Sequence, residues 1–176
     1  MGDAWLRLAE PIRELHSTHS TTRALGYLSV AHGRHRLARV LVRQFRLPRA
    51  DAAAPAALTV TSVDGQEHWY RRIGERTLET WQSQANPAEL TERYGCLEFR
   101  FLLHAAEESL HYVQRGAALR FVAGRLRLPD YLAPRVNARE TAAGPGQVSV
   151  AVSVTLPVIG LLIEYAGTVG IAKAAA

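Results

Sequence analysis

The chain reads as mainly β with short α: an antiparallel up-and-down meander forming a barrel or strongly curved sheet, with two short N-terminal helices. Three observations predict this. From residue 57 onward, apolar and polar residues alternate with a period of two over short stretches, the pattern of strands with one buried face. The links between these stretches are hairpin-sized, and Asp64-Gly65 between two alternating segments is the strongest hairpin signal in the chain. The long crossovers that parallel strands need are missing, which argues against a doubly wound or barrel-with-helices design. A meander of about nine such strands can curl into a barrel around one small ligand.

The elements follow in order. Residues 3–16 predict a helix with Trp5, Leu8, Ile12 and Leu15 on one face, broken or kinked at Pro11, and residues 17–22 are a polar link. Leu25 to Val30 is a short strand ended by Gly33. Residues 35–47 are a second helix, with Leu37, Val40, Leu41 and Phe45 on one side, Arg36, Arg39, Arg43 and Arg46 on the other, and Pro48 as the stop. Residues 49–56 read as a loop. Strands follow at 58–63, 66–73 and 77–83, residues 86–93 read as a turn or short helix, and strands resume at 96–103, 110–121 and 124–128. Residues 129–134, between two prolines, are a loop or single helical turn. Asn137 to Glu140 pairs with Val148 to Leu156 across Gly144-Pro145-Gly146, and Leu161 to Ile171 closes the chain.

The 176 residues suit one domain, 1–176, and a hydrophobic fraction of 48% can fill a core. The net charge is 21 − 16 = +5. It points either to an anionic partner or to a composition in which arginine and alanine dominate and Lys173 is the only lysine. The single cysteine, Cys96, excludes an internal disulfide and a cysteine-based zinc site, and its place at the head of an apolar strand reads as core. The N-terminal residues read as a short amphipathic helix rather than a signal peptide, and no apolar run reaches the ~18 residues of a transmembrane helix, so the chain is expected to be cytoplasmic, without membrane insertion.

The hairpin locates candidate chemistry. A two-residue turn at 64–65 sets Val60 opposite Trp69 and Ser62 opposite Glu67, so Leu58, Val60, Glu67, Trp69, Arg71 and Ile73 share the apolar face. Glu67 and Arg71 are then two inward charges beside a tryptophan. They form either a ligand site or an internal ion pair that fixes register. On the strand at 96–104, Glu98, Arg100 and His104 oppose Leu97, Phe99, Phe101 and Leu103; they are solvated charges unless curling covers both faces. Tyr165 shares a face with Ile163 and Val169, Glu140 with Val136 and Ala138, and Arg115 with Val113 and Leu119.

His16-x-x-His19 and His32-x-x-His35 have ligand-like spacing but no companion carboxylate in a secure helix, so no metal is expected. No phosphate loop, nucleophile elbow or dinucleotide fingerprint is present, and no cofactor is expected. The arginine stripe at 36, 39, 43 and 46 suits an anionic membrane, a nucleic-acid backbone or a solvated outer face; it lacks the interleaved aromatics of base stacking, and no nucleic acid is expected.

Gly33-Arg-His-Arg-Leu-Ala-Arg39, Glu67-x-Trp69-x-Arg71 with Gly74, Glu98-Phe-Arg-Phe101, Arg127-Leu-Pro-x-x-Leu-Ala-Pro-Arg135 with Glu140, and Pro157-x-x-Gly160 leading to Tyr165-x-Gly167 together span most of residues 24–170. As a set they resemble a bacterial family of domains of unknown function, found alone or fused to saccharopine-dehydrogenase-like reductases. The resemblance implies work near small-molecule metabolism on lipid-like or polyketide-like substrates.

The expected function is binding of a hydrophobic small molecule in a barrel-like pocket. An enzymatic form would be a cofactor-free isomerase, cyclase or dehydratase. Its catalytic residues would be Glu67, Glu98 and Tyr165, and Trp69, Arg71, Arg100, Arg115 and Glu140 would bind substrate. A second copy of the chain is the other expected partner. The alternative is a non-enzymatic accessory domain that docks on an anionic partner through the arginine-rich helix.

Overall fold

In the computed structural model, which describes residues 5–16, 21–86, 88–106 and 108–172, eleven strands and two short helices carry the fold. Helix α1 is Glu10–Leu15, strand β1 Thr22–His32 and helix α2 Arg36–Gln44; then come β2 Asp51–Val63, β3 Gln66–Ile73, β4 Arg76–Asn86, β5 Glu89–Tyr94, β6 Leu97–Ala106, β7 Ser109–Phe121, β8 Gly124–Arg127, β9 Arg135–Gly144, β10 Gln147–Leu156 and β11 Gly160–Ala172. Each strand from β1 to β7 pairs antiparallel with the next, β7 pairs with β9, and β9, β10, β11 and β1 complete the ring. The result is a closed ten-strand barrel. Closure removes the unpaired edges an open sheet would expose.

β8 lies outside the ring. The first half of β7 pairs with β9 (Ser109 opposite Thr141 through Val113 opposite Asn137), and its last four residues pair with β8 instead (Ala118 opposite Arg127). Gln114 sits at this fork. Its amide donates to the Pro134 carbonyl at 2.8 Å and its side-chain oxygen accepts from the Val136 N–H at 2.6 Å, replacing the ladder where the strands part.

The Asp64-Gly65 hairpin forms as the sequence predicts. Both residues have positive φ, 50° and 73°, and the register is that of a two-residue turn, with Val63 opposite Gln66. Pro11 falls in the first turn of α1, where its missing N–H costs nothing, so the helical pattern breaks before it rather than kinking at it. Of the predicted polar link at 17–22, residues 17–20, His19 among them, lie outside the described residues, and its last residue, Thr22, opens β1.

Two predicted irregular segments are strands. Residues 51–56, read as loop because alanine carries no clear alternation, form the first half of β2, where Ala54 and Ala56 are buried beside β1. Residues 89–93, read as turn or helix, belong to β5, which turns Leu90, Glu92 and Tyr94 inward opposite Phe101, Phe99 and Leu97. Cys96 is exposed in the β5–β6 turn and is not a core residue. Helix α2 buries Ala38 and Val42 and leaves Leu37 and Val40 more than half exposed, so its apolar face is rotated from the one predicted.

The barrel has two different ends. α1 and the turn before it cover the end that holds the 64–65 and 145–146 turns, burying Leu8, Ile12 and Leu15 against the strands. α2 sits at the opposite end, following β1, and Tyr94, the last residue of β5, donates to the Phe45 carbonyl there at 2.9 Å. No helix among the described residues is long and apolar enough to cross a membrane.

Candidate functional site

Strand β3 supplies the centre of the interior. Its alternation turns Glu67, Trp69, Arg71 and Ile73 inward, and the antiparallel register brings Gln82 of β4 opposite Glu67 and Thr80 opposite Trp69. Gln82 in turn faces Glu92 of β5. From the other wall come Tyr112 of β7, Glu140 of β9 and Tyr165 of β11, the last paired with Val152 and Val30. Trp69, Glu140, Tyr112 and Gln82 are all buried.

These groups form two layers. The first is a plug beneath α1. His16, at the C-terminus of that helix, places Nε2 2.7 Å from Glu140 Oε2 and Nδ1 3.6 Å from Glu67 Oε2. Tyr112 donates to Glu140 Oε1 at 3.1 Å with its oxygen 3.2 Å from His16 Nε2, and Trp69 Nε1 donates to Glu67 Oε2 at 2.8 Å. Burial alone would push the imidazole pKa down, but the charge and hydrogen bond of Glu140, with Glu67 on the far side, reverse this and raise it to about 10. His16 is therefore an imidazolium held between two carboxylates. Burial likewise opposes the Glu67 charge, and His16, Trp69 and Arg71 outweigh it, leaving the carboxyl below its usual range. The Tyr112 hydroxyl, buried and beside Glu140, is pushed well up and stays protonated.

The second layer is centred on Arg71. Its guanidinium donates to Thr80 Oγ1 at 2.8 Å and to Glu92 Oε1 at 3.3 Å and lies 4.7 Å from the Trp69 ring centroid. Burial works against its charge, but Glu92 leads the groups that keep it. Burial also raises the Tyr165 hydroxyl, partly offset by Arg71.

Two chambers meet at this layer, and both are lined by Arg71, Glu92 and Tyr165. The inner one, about 60 Å³, reaches towards Gln82, Tyr112 and Glu140. The Gln82 side-chain oxygen there has no hydrogen-bond partner among the described residues. The outer chamber, about 370 Å³, is walled by leucine, valine and aromatic side chains and runs to the α2 end of the barrel, where Leu41, Phe45 and Leu47 face Leu128, Leu132 and Pro134. Its charged wall residues are Arg71 and Glu92. An interior of this kind can seat an apolar body with its polar head against the guanidinium and the tyrosine hydroxyl.

Of the residues singled out from the sequence, Glu67, Trp69, Arg71, Glu140 and Tyr165 come together in the barrel interior. Three do not. Glu98 points away from the interior and is buried on the outer face by Arg125 at 2.7 Å and Arg120 at 3.4 Å. Arg100 is exposed on the same face. Arg115 is exposed as the unpaired residue of a β-bulge, where the register passes from Arg100–Gly116 to Phe101–Gln114, and this breaks the parity that had put it with Val113 and Leu119. Five interior polar residues escape sequence reasoning: His16, Thr80, Gln82, Glu92 and Tyr112. Glu92 sits between apolar residues at i ± 2 (Leu90 and Tyr94), a signal hidden in β5 by its charged neighbours; Tyr112 has an apolar residue only at i − 2 (Leu110), since Gln114 stands at i + 2.

His16 was notable in the sequence only for its spacing to His19. Its two ring nitrogens face opposite carboxylates, which makes it a bridge and not a ligand set converging on one point. Among the described residues no group of three histidine, cysteine or acidic side chains is placed to hold a metal ion.

A family model, that of a domain of unknown function (DUF4166), matches residues 8–169 of the chain. Neither the curated proteins nor the solved structures give a match.

Proposed function

The chain belongs to the DUF4166 family, and we propose that it binds a hydrophobic small molecule in the barrel, with the apolar body in the outer chamber and a polar head on Arg71 and Tyr165. The outer chamber carries this reading. At about 370 Å³ it falls within the range of small-molecule sites, and its apolar wall ends on a guanidinium already oriented by Thr80 and Glu92. A packed core would have filled that space. Native mass spectrometry of the protein purified from its own host, followed by denaturing release, tests the reading. A co-purifying apolar acid or polyketide-like compound is expected. An empty protein with no thermal shift across a panel of such compounds would overturn it.

A catalytic form of the same reading draws support from Arg71, Glu92 and Tyr165 lining both chambers. A cofactor-independent isomerisation or cyclisation needs an oxyanion partner, a proton donor and a proton acceptor beside an ordered substrate. Arg71 supplies the first, the protonated Tyr165 hydroxyl the second and the Glu92 carboxylate the third. In this reading Glu67 and Glu140 hold the His16 plug and leave the proton transfer to Glu92. Glu92→Gln and Tyr165→Phe should then bind the released compound and lose turnover of it; full turnover in both would remove the catalytic form and leave binding.

A further inference from the structure

The open end of the barrel has a surface that small-molecule binding does not require. Residues 33–50, which lead into α2, form it and leave it, contain six arginines (34, 36, 39, 43, 46 and 49) and no acidic residue, and all six are exposed. Arg49 pairs with Glu75; the other five have no carboxylate partner among the described residues. A surface this cationic repels itself unless an anion covers it.

The same helix exposes apolar side chains between its arginines. Leu37 and Val40 are 54% and 59% exposed, because α2 packs through Ala38 and Val42. Two neighbouring segments of the same end do likewise. Tyr131 and Leu132 stand out from the loop that faces α2 across the chamber, and Val158, in the β10–β11 turn, is fully exposed. Val158 also has a positive φ of 68°, a strained conformation for a β-branched residue that turns its side chain outward.

From these observations we propose that this end of the barrel docks on the surface of an anionic lipid bilayer. The arginines would meet the headgroups, and Leu37, Val40, Leu132 and Val158 would reach the acyl boundary. A bilayer offers both chemistries at the depth of one side chain. A nucleic-acid backbone offers the charge but nothing for four exposed aliphatic side chains. The docked face is the one through which the outer chamber opens, so an apolar molecule could pass between bilayer and chamber without crossing water. The docking itself stands on the surface and not on the chamber.

Sedimentation with vesicles of phosphatidylcholine, and of an equimolar phosphatidylcholine–phosphatidylglycerol mixture, tests this. The full chain should bind the mixed vesicles, less so as salt rises, and leave pure phosphatidylcholine vesicles unbound. Arg39→Glu with Arg43→Glu should cut binding by more than about tenfold, from the per-charge attraction to an anionic leaflet. Leu37→Ser with Val40→Ser, which keeps the charge, should also weaken it. Val154 lines the outer chamber, and folded Val154→Trp, whose side chain fills that chamber, should bind vesicles as the native chain does. Failure to bind mixed vesicles at low salt would overturn the proposal. So would full binding by the serine variant, tighter binding to a DNA duplex than to vesicles, or loss of binding in the chamber-blocked variant. Failure of the small-molecule reading would instead show as an empty chamber with vesicle binding intact.

Discussion

At the scale of single residues, His16 organises the plug beneath α1, although the sequence marks it only by its spacing to His19. It links α1 to β3 through Glu67 and to β9 through Glu140, with Tyr112 closing the set. Removing one partner of a buried ion pair leaves the other charges uncompensated. His16→Ala should therefore cost about 3–5 kcal/mol of unfolding free energy, read from urea denaturation. Tyr112→Phe, which removes the hydroxyl held between Glu140 and His16 and keeps the ring, should cost about 1.5–3 kcal/mol. The pH dependence follows from the same groups. The folded-state pKa of His16 is raised, from 6.5 to about 10, so its stabilisation is complete below the unfolded value and is lost as pH rises through that interval. The Glu67 pKa is lowered, so its contribution is present above the usual glutamate value of 4.5 and is lost as pH falls below it. Denaturation midpoints should thus peak between these limits and decline towards alkaline pH; the alkaline decline should disappear in His16→Ala. Glu67, Trp69 and Arg71 were legible because one turn fixed their register. His16 was not, because its partners lie 51 and 124 positions away along the chain.

At the scale of elements, β1 and β11 come unusually close. A Cβ at Gly167 would stand 2.2 Å from the Tyr27 carbonyl oxygen, and one at Gly26 would stand 2.1 Å from that of Thr168. Both glycines let the strands cross closely enough to close the ring at this seam, so each lacks a side chain for a reason of space. Gly167→Ala should destabilise by about 1–3 kcal/mol as an overpacked site, measured by thermal or urea unfolding. Unchanged stability would mean the seam can shift at little cost. The fork of β7 is a second such point: Gln114→Leu leaves the Val136 N–H and the Pro134 carbonyl without their partner and should cost about 1–3 kcal/mol. The alternating strands and the Asp64-Gly65 hairpin were legible from their side-chain period. The first half of β2 and all of β5 were not, since alanines carry no contrast between faces and β5 spends charged residues on both. The bulge that exposes Arg115 leaves no mark in the sequence, because one inserted residue inverts the parity of everything before it.

At the scale of the whole molecule, closure converts a sheet with one wet face into a container. It covers the second layer of polar groups and leaves the outer chamber unfilled. Val154→Trp places a large side chain in that chamber and should abolish carriage of any apolar ligand while the barrel remains folded, checked by native mass spectrometry beside circular dichroism. Carriage retained in that variant would place the ligand elsewhere. The two ends of the barrel also divide the work: α1 seals one with buried leucines and an ion-pair plug, and α2 frames the other with arginines.

The sequence by itself determined the antiparallel β architecture, the hairpin register and the inward direction of Glu67, Trp69 and Arg71, because these depend on side-chain period and turn chemistry between near neighbours. The tertiary structure alone decided that the meander closes, that Glu98, Arg100 and Arg115 lie outside it, and that His16, Glu92 and Tyr112 complete the interior. Closure joins β11 to β1 and β9 to β7, and no local pattern encodes which distant strands will meet or which of their charges will find a partner.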